Sequence, residues 1–356
     1  MSDLRARALA LRDRFVAAGA QAVDPPVLQP ADLLLDLYGE DIRARAYVTS
    51  DAMRGEQMLR PDFTVPVVQM HMANGADPAR YTYAGEVFRR QEQDPDRASE
   101  YLQVGYEVFD RSNPAAADAE VFSLISQTVA PLALRAATGD IGVLMAAVEG
   151  LNTSGRRKAA LRRHIWRPRR FRALLDRFGG RTPVPESRRA LLAGTGGAGA
   201  PLTGLRSQAE VDARIRALAE DAAEAPISGA EMDGLDALLS VRETLPFALL
   251  QLHDLTVDLP AIRPAVARVD ARAEALAARG IDVDKLEFEA SYGRTSMEYY
   301  DGFVFGFYAE SRPDLPPVAT GGRYDALTRR LGGGTEIPAV GAVLRPDLMA
   351  LLEGSA

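Results

Sequence analysis

Apolar positions along the chain switch between a helical and an alternating period, and the switches mark out its elements. Leu4, Ala8, Leu11 and Phe15 recur at helical spacing behind Ser2 or Asp3, so a first helix opens there and stops at Gly19. Prolines at 25, 26 and 30 forbid helix and predict a short extended segment over 23–30 that belongs at an edge or interface. A helix resumes over 32–38, and a strand begins over 46–49. Residues 58–66, MLRPDFTVP, read as one short extended run carrying a base, an acid and a hydroxyl. The stretch 67–72 continues as helix or strand, with His71 as a core histidine. Two β-rich runs follow, 81–88 and 101–109, joined by twelve residues of which most are charged or amide. A polar loop of that length between apolar strands fits either a solvated hairpin or one that meets a ligand.

Asn113 to Asp118 caps a long helix drawn to Ala137, with Val121, Leu124, Ile125 and Val129 as its buried stripe. A strand over 140–143 and a helix over 144–151 come next. From Ser154 the pattern changes. Residues 156–181 carry eleven lysines and arginines against one acid, Asp176. They read either as an anion or nucleic-acid face, with Trp166 and Phe171 as stacking groups, or as a solvated face or docking surface for an acidic partner. The second reading is preferred. Residues 194–199 spell G-x-G-x-x-G, but they follow a helix rather than a strand and Pro201 interrupts what comes after, so a loop is predicted. Helices are predicted over 207–222, 229–245 and 259–279, making 154–280 a helical layer or insertion. Strand patterning returns at 286–290 and 299–308, and a short helix follows Gly321-Gly-Arg-Tyr-Asp325. A strand over 339–344 leads into a terminal helix over 346–352. The fold class is therefore α+β, with one mostly antiparallel sheet flanked by helices.

Composition narrows the chemistry. The 356 residues are 47% hydrophobic and 26% charged, which is ordinary for a globular chain with an ample core. The lack of cysteine excludes thiolate zinc sites, and only three histidines argue against a histidine-rich metal centre. Lys158 and Lys285 are the only lysines, which leaves almost no candidate for a Schiff base, and no phosphate-binding P-loop motif occurs. No cofactor is implied. A net charge of −7 argues against nucleic acid as the main partner. No apolar run approaches a membrane span and the N-terminus is not a signal peptide, so a cytoplasmic location is expected.

Taken together these pieces resemble the catalytic domain of class II aminoacyl-tRNA synthetases, in particular the histidyl-tRNA synthetase branch. LRPDFT at 59–64 is similar to that branch's L-R-P-E-G-T. FRRQ at 88–91 with Gln103-Val-Gly-Tyr-Glu-Val-Phe109 resembles its motif 2. Tyr299-Tyr300 and Gly321-Gly-Arg-Tyr-Asp325 resemble its two histidine-binding signatures, and 339–352 its motif 3. Pro26 matches the proline of motif 1, which implies a self-dimer. Nothing follows residue 356 where the synthetase carries its anticodon-binding domain, so a single class II synthetase-like domain over 1–356 is expected.

The departures from the pattern are informative. Gln91 replaces the motif 2 glutamate, and Ser99 stands at a second arginine position, with Arg97 two residues away. Leu348 replaces the adenine-stacking arginine, with Arg345 one turn earlier. Thr295 sits at a catalytic arginine position, with Arg294 one residue out of register. One lost donor costs about 10²–10³ in rate, so several together imply no catalysis and no catalytic residue. The amino-acid half is kept. The resemblance implies a histidine-binding set of Asp62, Thr64, Arg89, Gln103, Glu107, Tyr300 and Tyr324, with Arg294 as a further possible carboxylate contact. A synthetase-like domain of this kind resembles the regulatory-subunit family of ATP phosphoribosyltransferase. That implies a short-form catalytic subunit as partner and L-histidine as feedback effector. A truncated ligase that still forms an aminoacyl-adenylate is the alternative.

Overall fold

A computed structural model of the chain describes residues 2–32, 34, 46–90, 98–195, 204, 206–294 and 299–354. Most of the helix expected over 32–38 lies outside these residues. So do Gln91, Arg97, Thr295 and most of the glycine-rich 194–199 stretch.

Twelve strands are described, and nine of them form one sheet. In chain order these are β1 (Gln21–Ala22), β2 (Leu28–Pro30), β3 (Val48–Asp51), β4 (Gly55–Leu59), β5 (Ala79–Phe88), β6 (Glu100–Phe109), β7 (Arg135–Asp140), β8 (Arg242–Thr244), β9 (Glu287–Glu289), β10 (Phe303–Tyr308), β11 (Ala319–Arg323) and β12 (Ala339–Leu344). The large sheet runs β1-β5-β6-β12-β11-β10-β7-β9-β8; β2, β4 and β3 form a small second sheet. Among the described residues only the β1–β5 and β7–β9 pairings are parallel. The α+β expectation with a mostly antiparallel sheet holds, and the hairpin β5–β6 is its longest ladder, from Ala79↔Phe109 to Phe88↔Glu100.

Alternation divides the sheet into two faces. On β10, Phe303, Phe305 and Phe307 pack around Phe122 of the helix Pro114–Val129. On β6, Val104, Tyr106 and Val108 are buried on that same side, where Tyr106 meets Phe15 of the first helix, Ser2–Ala17. The opposite face carries Gln103, Gly105 and Glu107 of β6, and with them the candidate site. A helix over Thr64–Asn74 covers one end of this face, where His71 stacks on Phe109 with ring centroids 3.8 Å apart.

Several boundaries differ from expectation. The run 58–66 is not extended throughout, because helix starts at Thr64 and takes Pro66 into its first turn, where a missing N–H costs nothing. The helix capped by Asn113 ends at Val129 rather than at 137. Pro131 opens a single 3₁₀ turn there, and the strand expected at 140–143 is displaced to 135–140. A helix over Leu245–Asp258 was not expected at all. Within 154–280 the chain is mainly helical, but β8 joins the edge of the large sheet.

The basic segment 156–181 finds its counter-charges inside the fold. Arg157 is buried and donates to Asp221, which also takes Arg177 and Arg188. Arg156 pairs with Glu220, and Arg172 and Arg181 with Asp236. Two acidic helices, Gln208–Ala223 and Gly229–Ser240, thus neutralise much of the segment.

Candidate functional site

Each of six consecutive strands presents a glycine to the site face: Gly85, Gly105, Gly341, Gly322, Gly306 and Gly139. They form a shallow floor on which large side chains lie flat. The ring of Tyr83 rests on Gly105, the carboxylate of Glu107 on Gly341, and Tyr300 on Gly322. A Cβ at Gly341 would overlap the Glu107 carboxylate outright. The floor therefore positions the functional groups.

Glu107 is at the centre. Its Oε1 accepts from Thr64 Oγ1 at 3.0 Å and from the Tyr83 hydroxyl at 2.8 Å, while Oε2 accepts from the Tyr324 hydroxyl at 2.6 Å. Burial lifts its carboxyl from the usual range to about 7; the three hydroxyl donors oppose that rise, and neighbouring Asp62 adds to it. Burial likewise drives the Tyr83 and Tyr324 hydroxyls well above their ordinary range, with Glu107 reinforcing the effect, so both remain donors. Phe63 stacks on Tyr83 with centroids 4.2 Å apart and rings 10° from parallel, a contact worth about 1 kcal/mol.

Above this network lies a cavity of about 340 Å³ whose wall includes Asp62, Thr64, Arg89, Gln103 and Tyr300. Asp62 is buried, and its Oδ1 accepts from the Val65 backbone at 3.3 Å at the start of the helix. Arg89 is fixed by its Nε to the Pro61 carbonyl at 2.7 Å. Gln103 is 3% exposed and its Oε1 has no partner. An unsatisfied amide oxygen in a polar cavity is an acceptor waiting for a donor. Tyr300 stands edge-on to Tyr299, which in turn meets Tyr324.

The structure thus brings together Asp62, Thr64, Arg89, Gln103, Glu107, Tyr300 and Tyr324. It does not bring Arg294 to this cavity. That guanidinium donates to the Ile165 carbonyl at 2.8 Å, lies over Phe171, and faces a separate space. Leu348 is buried on the helix Pro346–Glu353, and Arg345 is held over Tyr101 and paired with Asp347. The Ser99 carbonyl closes the hairpin onto the Arg89 N–H at 2.8 Å.

Several participants carry no sequence signal of their own. Tyr83 lies in a plain strand run, and its place opposite Gly105 is what aims it at Glu107. Arg60, the base of the 58–66 run, ties the hairpin to the proline segment, donating to the Glu86 carbonyl at 2.9 Å and to Pro25. Tyr101 and Arg345 also line the cavity.

A family model described as histidyl-tRNA synthetase matches residues 2–210 and 207–349. Curated relatives from Brucella ovis and Brucella abortus, each named ATP phosphoribosyltransferase regulatory subunit, are 33% identical over 97% of this chain and 96% of their own length. Among solved structures, an ATP phosphoribosyltransferase regulatory subunit/histidyl-tRNA synthetase from Bacillus halodurans aligns with TM-score 0.68 at 20% identity, over 99% of this chain and 79% of that one. Histidyl-tRNA synthetase from Nostoc sp. PCC 7120 aligns with TM-score 0.66 at 16% identity, over 99% and 72%.

Proposed function

The chain belongs to the family of ATP phosphoribosyltransferase regulatory subunits, which are built on the histidyl-tRNA synthetase fold, and on that footing we propose that it is a non-catalytic, histidine-sensing subunit. It associates with a short-form catalytic subunit and makes the first step of histidine biosynthesis sensitive to the end product.

The observation that carries this reading is the polarity of the cavity wall. Asp62 and the unpartnered Gln103 Oε1 offer acceptors for an α-ammonium group, and Arg89 offers a cation for a carboxylate. Such charge-assisted bonds are about twice as strong as neutral ones. Glu107, Tyr300 and Tyr324 supply the acidic and phenolic surface that orients an imidazole ring. Binding shifts the assembly between states by its differential affinity for them.

The buried Leu348 supports the absence of catalysis, because no cation can stack on adenine from that position. Val27, Leu28, Tyr47 and Val48 are each 38–45% exposed beside Pro26 and supply an apolar face for a self-dimer. Residues 154–280 are an insertion into a single synthetase-like domain, and that insertion is available to the catalytic partner.

Reconstitution with a short-form catalytic subunit tests the reading. Histidine inhibits the reconstituted enzyme, and Gln103→Ala raises the half-inhibitory concentration tenfold or more. Histidine-dependent exchange of pyrophosphate into ATP by the chain alone would contradict it and favour a truncated ligase.

A further inference from the structure

Beside the amino-acid cavity lies a second one of about 480 Å³, and Tyr308 is a wall of both. Arg294, Arg172, Phe171, Tyr292, Ser291 and Glu289 line it. Arg294 is 6% exposed, and its Nη2 has no hydrogen-bond partner. Among the described residues no acidic side chain pairs with it; its one hydrogen bond goes from Nε to the Ile165 carbonyl. The other cation, Arg172, is neutralised by Asp236, and Glu289 is engaged by Ser291 and Arg242. A buried guanidinium lacking a counter-charge is costly to fold, and burial with neighbouring Arg172 draws its pKa down to about 10. Three other buried arginines are paired with carboxylates, Arg272 with Asp118 and Asp140, Arg323 with Asp118 and Asp325, and Arg157 with Asp221, while buried Arg60 has Nε and Nη1 on the Glu86 and Pro25 carbonyls.

We propose that this second cavity is a binding site for a small oxyanion, whose negative oxygen supplies Arg294 Nη2 with its missing acceptor. Glu289 in the wall disfavours a dianion, so a carboxylate monoanion fits better than phosphate. Phe171 and Tyr292 give the non-ionic part of an organic acid an aromatic wall. The site does not depend on the amino-acid reading of the first cavity, because Arg294 does not line that cavity.

A built-in reporter makes the test direct. The only tryptophan, Trp166, follows the Ile165 whose carbonyl holds Arg294. Acetate and inorganic phosphate are titrated into the full chain at constant ionic strength and followed by tryptophan fluorescence and calorimetry. The proposal expects saturable binding with acetate tighter than phosphate at pH 8, a tenfold or greater loss in Arg294→Gln, and partial recovery in Arg294→Lys. Ser291→Asp, which places a charge on the wall without touching Arg294, weakens acetate at least threefold and stands in if Arg294→Gln fails to fold. Absence of saturable binding to either anion, or equal binding by the parent and the folded variants, overturns the proposal.

Discussion

Glu107 concentrates the physics of the site in one residue. Its carboxyl is lifted from an ordinary 4.5 to about 7, so the folded chain favours the neutral form. The stability this group lends is fully present below about pH 4.5 and is lost as pH rises through about 7, a swing of roughly 3 kcal/mol. Glu107→Gln removes that slope: relative to the parent, the variant gains stability between pH 4.5 and pH 8, read from urea midpoints. Parallel curves for the two proteins would refute the assignment. Gly341→Ala drives a methyl into the same carboxylate and costs about 3 kcal/mol or more, whereas Gly155→Ala, at a helix start with open space around it, stabilises by up to about 1 kcal/mol. The types of the residues that line the cavity were legible in the sequence. Tyr83 and Gly341 were not, because their roles come from strand register, and register joins residues far apart in the chain.

At the level of elements, the hairpin β5–β6, strand β12 and the helix Pro346–Glu353 were readable because alternation, glycine and proline mark their ends. The misjudged boundaries share a cause. A proline in a helix's first turn is permitted while one further in is a stop, and Pro66 and Pro131 fall on opposite sides of that rule. The arginine-rich helices were ambiguous in sequence because their acidic partners lie some sixty residues on; Arg157 and Asp221 are an example. That pair is buried, so Arg157→Ala removes its bonds to Asp221 and to the Ala225 carbonyl while Arg177 and Arg188 keep the carboxylate paired, and costs about 1–3 kcal/mol in urea unfolding. A loss below about 1 kcal/mol would mean that the ion pair is solvated. With Arg156, Arg157, Arg172, Arg177 and Arg181 paired in this way, part of the segment's charge is taken up inside the fold.

For the molecule as a whole, the small sheet stands apart from the large one, and the second cavity shares only Tyr308 with the first. If the face around Pro26 joins two copies, Leu28→Asp shifts the protein from dimer to monomer in sedimentation velocity, and an unchanged dimer would place the interface elsewhere. On the proposed function, the cavity of this synthetase-like fold reads histidine without chemistry. That reading is tested most directly by calorimetric titration of the chain, alone and with a short-form catalytic subunit, with L-histidine and with histidinamide, which lacks the carboxylate. The account predicts saturable histidine binding, at least tenfold weaker binding of the amide, and a comparable loss in Gln103→Ala. No histidine binding in either setting, or an unchanged affinity in Gln103→Ala, would contradict it.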